Sequence, residues 1–344
     1  MTGVRVDHHR GAARRTSPRV RLLPRAWANR EPANRDPQRR SGDPVTTAQT
    51  DTATVTDAGR ARLMDGTALA RRVSERTAAL AAKITERTGT APCLATVLVG
   101  EDPASVTYVK MKQNRCAKAG ITSRHVELPA ETTTEELVAA LTALSEDPEI
   151  SGILLQHPVP HHIDERAAFE AIAPGKDVDG VTMHSFAAMG FGLPGFVSCT
   201  PGGIMRLLAE YDVDLTGKHA VVVGRSAILG KPAGMLLLEQ NATVTYCHSR
   251  TVDLPSIVRQ ADVLVAAVGK AEFIRGEDIK PGAVVLDAGY NEGNVGDVHF
   301  ESAAARASLI TPVPGGVGPM TIAVLLEQTV QAAAAQAGLE LAEL

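Results

Sequence analysis

Tyr108 and Lys112 stand four residues apart in S-V-T-Y-V-K-M-K. On a helix that spacing puts a phenol and an amine on one face, about one turn from each other, with Lys110 on the opposite side. An amine held near a phenol in a partly desolvated pocket can lose its proton near neutral pH and act as a base or activate water. A solvated helix face accounts for an isolated Y-x-x-x-K just as simply, so the rest of the chain has to decide. Gln156 follows the apolar run Ile150 to Leu155, where the carboxyl end of a parallel strand would place a ligand, and its amide can hold Lys112 or a polar ring edge; it can also merely cap a loop. Lys176-Asp177-Val178-Asp179-Gly180 offers two carboxylates that face opposite ways in an extended segment, so only one can serve a pocket. In Pro314-Gly315-Gly316-Val317-Gly318-Pro319 the prolines fix the flanks while the glycines let backbone approach a flat ligand or a neighbouring helix.

Residues 219 to 250 carry a second kind of chemistry. His219 to Val223 is a β-branched run suited to a buried parallel strand, Gly224 ends it, and Gly230, Pro232 and Gly234 open a helix through Glu239 whose N-terminal N–H groups can meet a pyrophosphate. Thr243 to Tyr246 is the next strand. An acidic residue at the tip of that strand would take a ribose 2′-hydroxyl and repel a 2′-phosphate. Here the tip reads His248-Ser249-Arg250, and Arg225 sits in the phosphate turn itself, so donors from two strands favour NADP over NAD. The glycine spacing is G-x5-G rather than G-x-G-x-x-G, and a strand-turn-helix that binds no nucleotide is the plain alternative.

The elements needed to position these groups alternate. Apolar residues at Leu69, Val73, Leu80 and Ile84 give a helix from Thr67 to Arg87 closed by Gly89; Leu94 to Val99 is a strand; Asp102, Pro103 and Gly120 bound a helix over 103–119. A strand from Ile121 to Leu128, a helix from Thr134 to Ser145 and a strand from Ile150 to Leu155 follow. Residues 157–197 read as loop, with a short helix after Ile163. Thr200 is expected to cap a helix starting at Pro201, strands are expected at Val263 to Ala267, Ala283 to Asp287 and Leu309-Ile310, and an apolar helix runs from Met320 to about Ala335. This predicts an α/β fold of two domains: a catalytic domain over 63–180 that regains residues 319–344, and a Rossmann-type domain over 198–318.

A chain of 344 residues can hold two such domains. No apolar stretch approaches a spanning helix and the first residues lack a secretory core, so a cytoplasmic protein away from membranes is expected. Cys93, Cys116, Cys199 and Cys247 are scattered without metal-site spacing, and His157, His161 and His162 in H-P-V-P-H-H lack a carboxylate frame, so no metal is expected and a surface loop is the reading for the histidines. Through Arg40 there are eleven arginines against three acids; residues 1–62 read as a disordered basic arm, resembling either a transit peptide or the product of an upstream start, with Met64 where the ordered pattern begins. Residues 1–40 carry +8 of a total of −4, so the rest is acidic and a poor nucleic-acid binder.

Seven blocks in one order resemble the bifunctional methylenetetrahydrofolate dehydrogenase/cyclohydrolase family: Ser105 to Lys112, Gly152 to Pro160, Lys176 to Gly180, Cys199 to Pro201, Val221 to Ser226, Cys247 to Thr251 and Thr311 to Thr321. The resemblance spans Met64 to the C-terminus. It implies two α/β domains facing a cleft, a homodimer, a reduced folate substrate, and oxidation of 5,10-methylenetetrahydrofolate by NADP followed by hydrolysis to 10-formyltetrahydrofolate. It also implies that Lys112 is the key group of the water step, that Tyr108 and Gln156 orient it and the folate, that Asp179 binds the pterin, and that Pro314, Gly315 and Gly316 line the substrate site. Gly224, Arg225 and Ser226 match the family's NADP turn, and Ser249, with Arg250 beside it, matches a 2′-phosphate contact. Ser198 and Tyr290 depart from the family's usual Pro and Ile, and Tyr290 is a bulkier lining for the cofactor site. A short-chain dehydrogenase would carry its Tyr-x-x-x-Lys after the nucleotide motif rather than before it; a shikimate-type two-domain dehydrogenase is the closer rival in architecture.

Overall fold

The computed structural model describes residues 60–100 and 112–344. Two parallel sheets organise it. The front sheet has three strands in the order β3-β2-β4, where β2 is Cys93–Val99, β3 Thr122–Leu128 and β4 Gly152–Leu155. The rear sheet has six, in the order β1-β9-β8-β7-β5-β6, built from β1 (Arg62–Leu63), β5 (His219–Val223), β6 (Thr243–Cys247), β7 (Val263–Ala266), β8 (Val284–Asp287) and β9 (Leu309–Ile310). Every paired strand is parallel, as the β-α-β alternation requires. Strands β2, β4, β7 and β8 are buried along their whole length, which explains their unbroken apolar runs.

Helix α1 (Gly66–Thr88) starts at Asp65, whose carboxylate accepts the Ala68 N–H, and stops at Gly89 in the left-handed region at φ 75°. Residues 112–118 are helical (α2), and Gly120 (φ 67°) lies just beyond its end; the remainder of the helix expected over 103–119, Tyr108 included, lies outside the described residues. Helix α3 (Thr134–Glu146) has a reciprocal capping box between Thr133 and Glu136. Within the stretch read as loop over 157–197 the short helix expected after Ile163 is α4 (Glu165–Glu170), and beyond it the stretch is more ordered than expected, with a 3₁₀ turn at Pro174–Lys176 and α5 (Met183–Gly190). Helix α6 (Cys199–Glu210) begins at Cys199 with Ser198 in the capping position, so Thr200 is not its cap; the Thr200 hydroxyl instead meets the Thr321 hydroxyl at 3.0 Å. The rear sheet is completed by α7 (Gly230–Glu239), α8 (Leu254–Val258) and α9 (Phe300–Ala304).

Two corrections concern the domain limits. Ala61 is buried and Arg62 pairs in register with Leu309, so part of the stretch assigned to the arm belongs to the fold, in the rear sheet. Helix α1 then serves both halves: Leu69, Ala70 and Val73 pack in the rear core with α6, α7 and β5, while Ala81 and Ile84 pack in the front core with Leu94 and Leu154. The last helix, α10 (Val317–Gln336), does the same, with Met320 and Ala323 in the rear core and Ile322, Leu325, Leu326, Val330 and Ala334 in the front one. A helix that packs on two cores has to be apolar nearly all round, which is how this one reads.

Candidate active site

Lys112 lies in the first described turn of α2, half-buried, and its Nζ donates to Oε1 of Gln156 at 2.8 Å. Gln156 reaches it because its own N–H continues the sheet ladder to the Val97 carbonyl (2.8 Å), which carries the side chain past the end of β4; its Nε2 donates to the His157 carbonyl at 3.0 Å and so fixes which end of the amide faces the lysine. Burial lowers the Lys112 pKa below the usual lysine value, and the Asp179 carboxylate opposes that shift. The two carboxylates of K-D-V-D-G divide as their alternation demands. Asp177 is fully buried and its oxygens accept from the Val181 and Thr182 N–H groups and from the Thr182 and Ser185 hydroxyls, at 2.6 to 3.0 Å. Asp179 is the one left for the site, its side chain 15% exposed and 4.0 Å from His157 Nε2.

His157 is therefore beside the candidate site rather than on a detached surface loop, and its ring meets Phe169 edge-on at 6.0 Å. His162 is tied elsewhere, to the Thr132 carbonyl at 2.9 Å. The four thiols are free and buried. Burial pushes Cys116 up to about 11, and burial with the Asp179 carboxylate pushes Cys199 well above the usual thiol range, so both stand protonated next to the lysine and neither is a nucleophile. Among the described residues no three His, Cys, Asp or Glu side chains are grouped to hold a metal ion.

The nucleotide turn lies at the carboxyl edge of the rear sheet. Val223 and Cys247 are register partners and the Gly224 N–H donates to the Cys247 carbonyl at 2.9 Å, so Arg225 and the Ser249-Arg250 tip emerge from neighbouring strand ends, all three exposed. Gly224 adopts φ 147°, and a Cβ there would stand 2.3 Å from the Ala267 carbonyl oxygen; one on Gly230 would stand 2.4 Å from that of Gly224. Only glycine lets the turn close this tightly against the helix start. Ser226 is exposed, and its hydroxyl accepts the Leu229 and Gly230 N–H groups at 3.2 Å each. Tyr290 follows β8 on the same edge, 56% exposed, its hydroxyl bonded to Asn294. The neighbouring loop is wound round Asp287 and Asp297, two buried carboxylates in a stretch the sequence marks only as a departure at Tyr290. The donor set and the glycine-lined turn fit a dinucleotide bearing a 2′-phosphate.

Pro314 is exposed, and the glycines beside it also serve packing: the Gly315 carbonyl accepts the Thr67 N–H at 3.0 Å, and a Cβ on Gly66 would stand 1.8 Å from the Gly316 oxygen. The loop that closes the rear sheet is thus locked to the start of α1. Gln328 is one of three glutamines on α10, with Gln331 and Gln336, and the buried one, set behind Asp179; nothing local in the sequence singles it out.

Comparison with known proteins agrees with this arrangement. The model of the tetrahydrofolate dehydrogenase/cyclohydrolase catalytic domain matches residues 64–179, and that of the family's NAD(P)-binding domain matches residues 198–337. The chain is 77% identical over 280 residues to bifunctional protein FolD 1 of Streptomyces avermitilis, covering 81% of this chain and 98% of that protein. Among solved structures it is similar to the bifunctional methylenetetrahydrofolate dehydrogenase/cyclohydrolase FolD of Campylobacter jejuni (43% identity, TM-score 0.77, 79% of this chain and 98% of that one). It is also similar to the Trypanosoma brucei enzyme complexed with NADP cofactor and inhibitor (38% identity, TM-score 0.77, 80% and 97%). With both domain models matched in order, the shikimate-type alternative falls away, and the chain belongs to the bifunctional tetrahydrofolate dehydrogenase/cyclohydrolase family.

Proposed function

We infer that this chain oxidises 5,10-methylenetetrahydrofolate with NADP and hydrolyses the resulting 5,10-methenyl cation to 10-formyltetrahydrofolate, with the Lys112–Gln156–Asp179 constellation serving the folate side. The observation that carries the assignment of roles is the 2.8 Å bond from Lys112 to Gln156 with the Asp179 carboxylate at hand, in the domain that the family model calls catalytic.

Bound NADP supplies the hydride acceptor. Arg225, Ser249 and Arg250 would hold its 2′-phosphate, and N–H groups between Gly224 and Gly230, whose own donate to the Cys247 carbonyl and the Ser226 hydroxyl, would meet the pyrophosphate. The hydride leaves a carbon flanked by two nitrogens, so the cation it leaves behind is already stabilised, and alignment is the main demand on the protein. Asp179 fixes the pterin by accepting its N–H donors and presents the one-carbon bridge towards the rear half.

Hydrolysis is the step that needs a base. Water adds to the methenyl carbon, a proton leaves that water for the Lys112 amine, and collapse of the adduct breaks the bond from the carbon to N5, which takes up a proton and leaves the formyl group on N10. Gln156 keeps the lysine lone pair directed at the attacking water by accepting one of its hydrogens. Tyr108 shares the Lys112 face by helical spacing and is assigned to orient folate and lysine. Pro314, Gly315 and Gly316 form the wall nearest the domain crossing. A cytoplasmic homodimer is the form in which we expect the enzyme to work, free of nucleic acid and membrane; no helix of the described residues is long and apolar enough to cross a bilayer.

The deciding experiment supplies methylenetetrahydrofolate and NADP⁺ and follows the NADPH and methenylfolate absorbance bands together. A rise of both, with the methenyl band then decaying, is the expected course; no change in either band with folate present would refute the assignment.

A further inference from the structure

Asp179 has no strand or helix to hold it, yet its carboxylate has to stay fixed relative to Lys112 and to the substrate. The backbone that carries it is clamped from behind by a residue from the far end of the chain. Gln328 of α10 is 4% exposed and spends its whole amide on this task. Its Oε1 accepts the Val197 N–H at 3.0 Å, and its Nε2 donates to the Val178 carbonyl at 2.8 Å and to the Val197 carbonyl at 2.9 Å, with Cys199 Sγ 3.5 Å away. One side chain thus joins the residue just before Asp179 to the segment that leads into α6. The same two segments are stitched again by the Ser198 hydroxyl, which donates to the Gly180 carbonyl at 2.8 Å, and by the Cys199 N–H, which donates to the Asp179 carbonyl at 3.3 Å. They approach so closely that a Cβ on Gly180, itself at φ 67°, would stand 2.4 Å from the Val197 carbonyl carbon.

We propose that Gln328 is a positioning residue for the folate site: by holding Val178 and Val197 together it sets where the Asp179 carboxylate stands, and so couples the seat of the last helix to substrate binding. The inference rests on the assignment of Asp179 to the pterin. Nothing but an amide of this length satisfies the site. A carboxylate at 328 would set a negative oxygen against two carbonyls, and an apolar side chain would leave those carbonyls and the Val197 N–H without partners. Local loss there does not reach the nucleotide turn, which belongs to the other sheet.

The test uses the full chain with Gln328→Met, Gln328→Glu, Asp179→Asn and each Gln328 substitution combined with Asp179→Asn, measuring KM for methylenetetrahydrofolate, KM for NADP and kcat. Each Gln328 variant is expected to raise the folate KM about tenfold, as a misplaced binding group does, while the NADP KM stays within about twofold. In the Asp179→Asn background the same change should add less than about twofold, because the group it positions is already lost. A multiplicative effect in the double mutants, or a parallel rise in both KM values, would overturn the positioning role. An unchanged folate KM in Asp179→Asn itself would instead overturn the assignment of Asp179. Should Gln328→Met fail to fold, Gln328→Glu, which keeps the shape and the acceptor for the Val197 N–H, carries the same comparison.

Discussion

At the scale of single residues the site is governed by a balance on one amine. Burial favours neutral Lys112 and Asp179 favours the ammonium, so the acid limb of the hydrolytic pH profile belongs to that lysine, the Cys199 and Cys116 thiols beside it remaining uncharged through the neutral range. Asp179→Asn removes the influence that raises the lysine pKa. The limb in kcat should therefore move to lower pH in that variant, and a move to higher pH would show that the carboxylate does not face the amine. Lys112→Met removes the base altogether; hydrolysis should fall by about 100-fold or more while NADP binding persists, which single-turnover decay of methenylfolate and a cofactor titration would check. Much of this was legible from side-chain chemistry and spacing: the Lys-Gln contact and the split between Asp177 and Asp179 both follow from where a helix face and an extended segment point. What was not legible is the tertiary part. His157 beside Asp179 and Gln328 behind it are separated from their partners by long stretches of chain, and no local pattern encodes either contact.

At the scale of elements, periodicity found the long helices and buried strands because each presents one sustained face, whereas it missed those whose existence depends on neighbours. Strand β1 is two residues long, too short to show alternation, and is a strand only because β9 lies alongside. Helix α5 sits in a glycine- and proline-rich stretch, but Thr182 caps it by accepting the Ser185 N–H and is itself held by the buried Asp177 carboxylate. The loop after β8 is a third case. Asp287 accepts the Gly289 and Asp297 N–H groups on Oδ1 and the Val298 N–H on Oδ2, at 2.8 to 3.0 Å, and a Cβ on Gly296 would stand 1.9 Å from Oδ2. The loop that carries Tyr290 is thus tied to the Asp287 carboxylate at its start as it is to Asp297 at its end. Asp287→Asn would turn an amide N–H towards one of these donors and should cost about 2 kcal/mol, with weaker NADP binding, measured by denaturant unfolding and cofactor titration. Burial raises the Asp287 pKa to about 6 in spite of these donors. A carboxyl whose pKa is raised on folding binds its proton more tightly in the folded state. Its contribution to stability is then full below about pH 4 and lost as the pH climbs to about 6, so the cost of Asp287→Asn should be larger at pH 4 than at pH 7.

At the scale of the whole molecule, the two halves are not beads on a linker. Helices α1 and α10 each run through both cores, and the rear sheet is completed by residues that precede the catalytic half in sequence, so the two halves are joined by packing along two shared helices. What the first described residues contribute is then a question of energetics. Met64 is fully buried in the rear core, its N–H donates to the Ile310 carbonyl at 2.9 Å, and just ahead of it Arg62 donates its own N–H to the Ser308 carbonyl at 2.9 Å, Ala61 is 3% exposed, and Arg60 pairs with Glu301. Removing residues 1–59 leaves all of these in place and should change neither the melting temperature nor turnover. Removing residues 1–63 takes away β1 and the buried alanine, uncovers the edge of β9 and replaces the Met64 amide with a charged amine in the core. That truncation should lose about 2 to 4 kcal/mol, which for a chain of this size lowers the melting temperature by roughly 3 to 7 °C, while the KM values of whatever protein remains folded stay near those of the full chain because no site group is touched. Equal melting temperatures for the two truncations would mean that β1 contributes nothing to the rear sheet; loss of activity in the shorter deletion would mean that residues before Arg60 belong to the working enzyme.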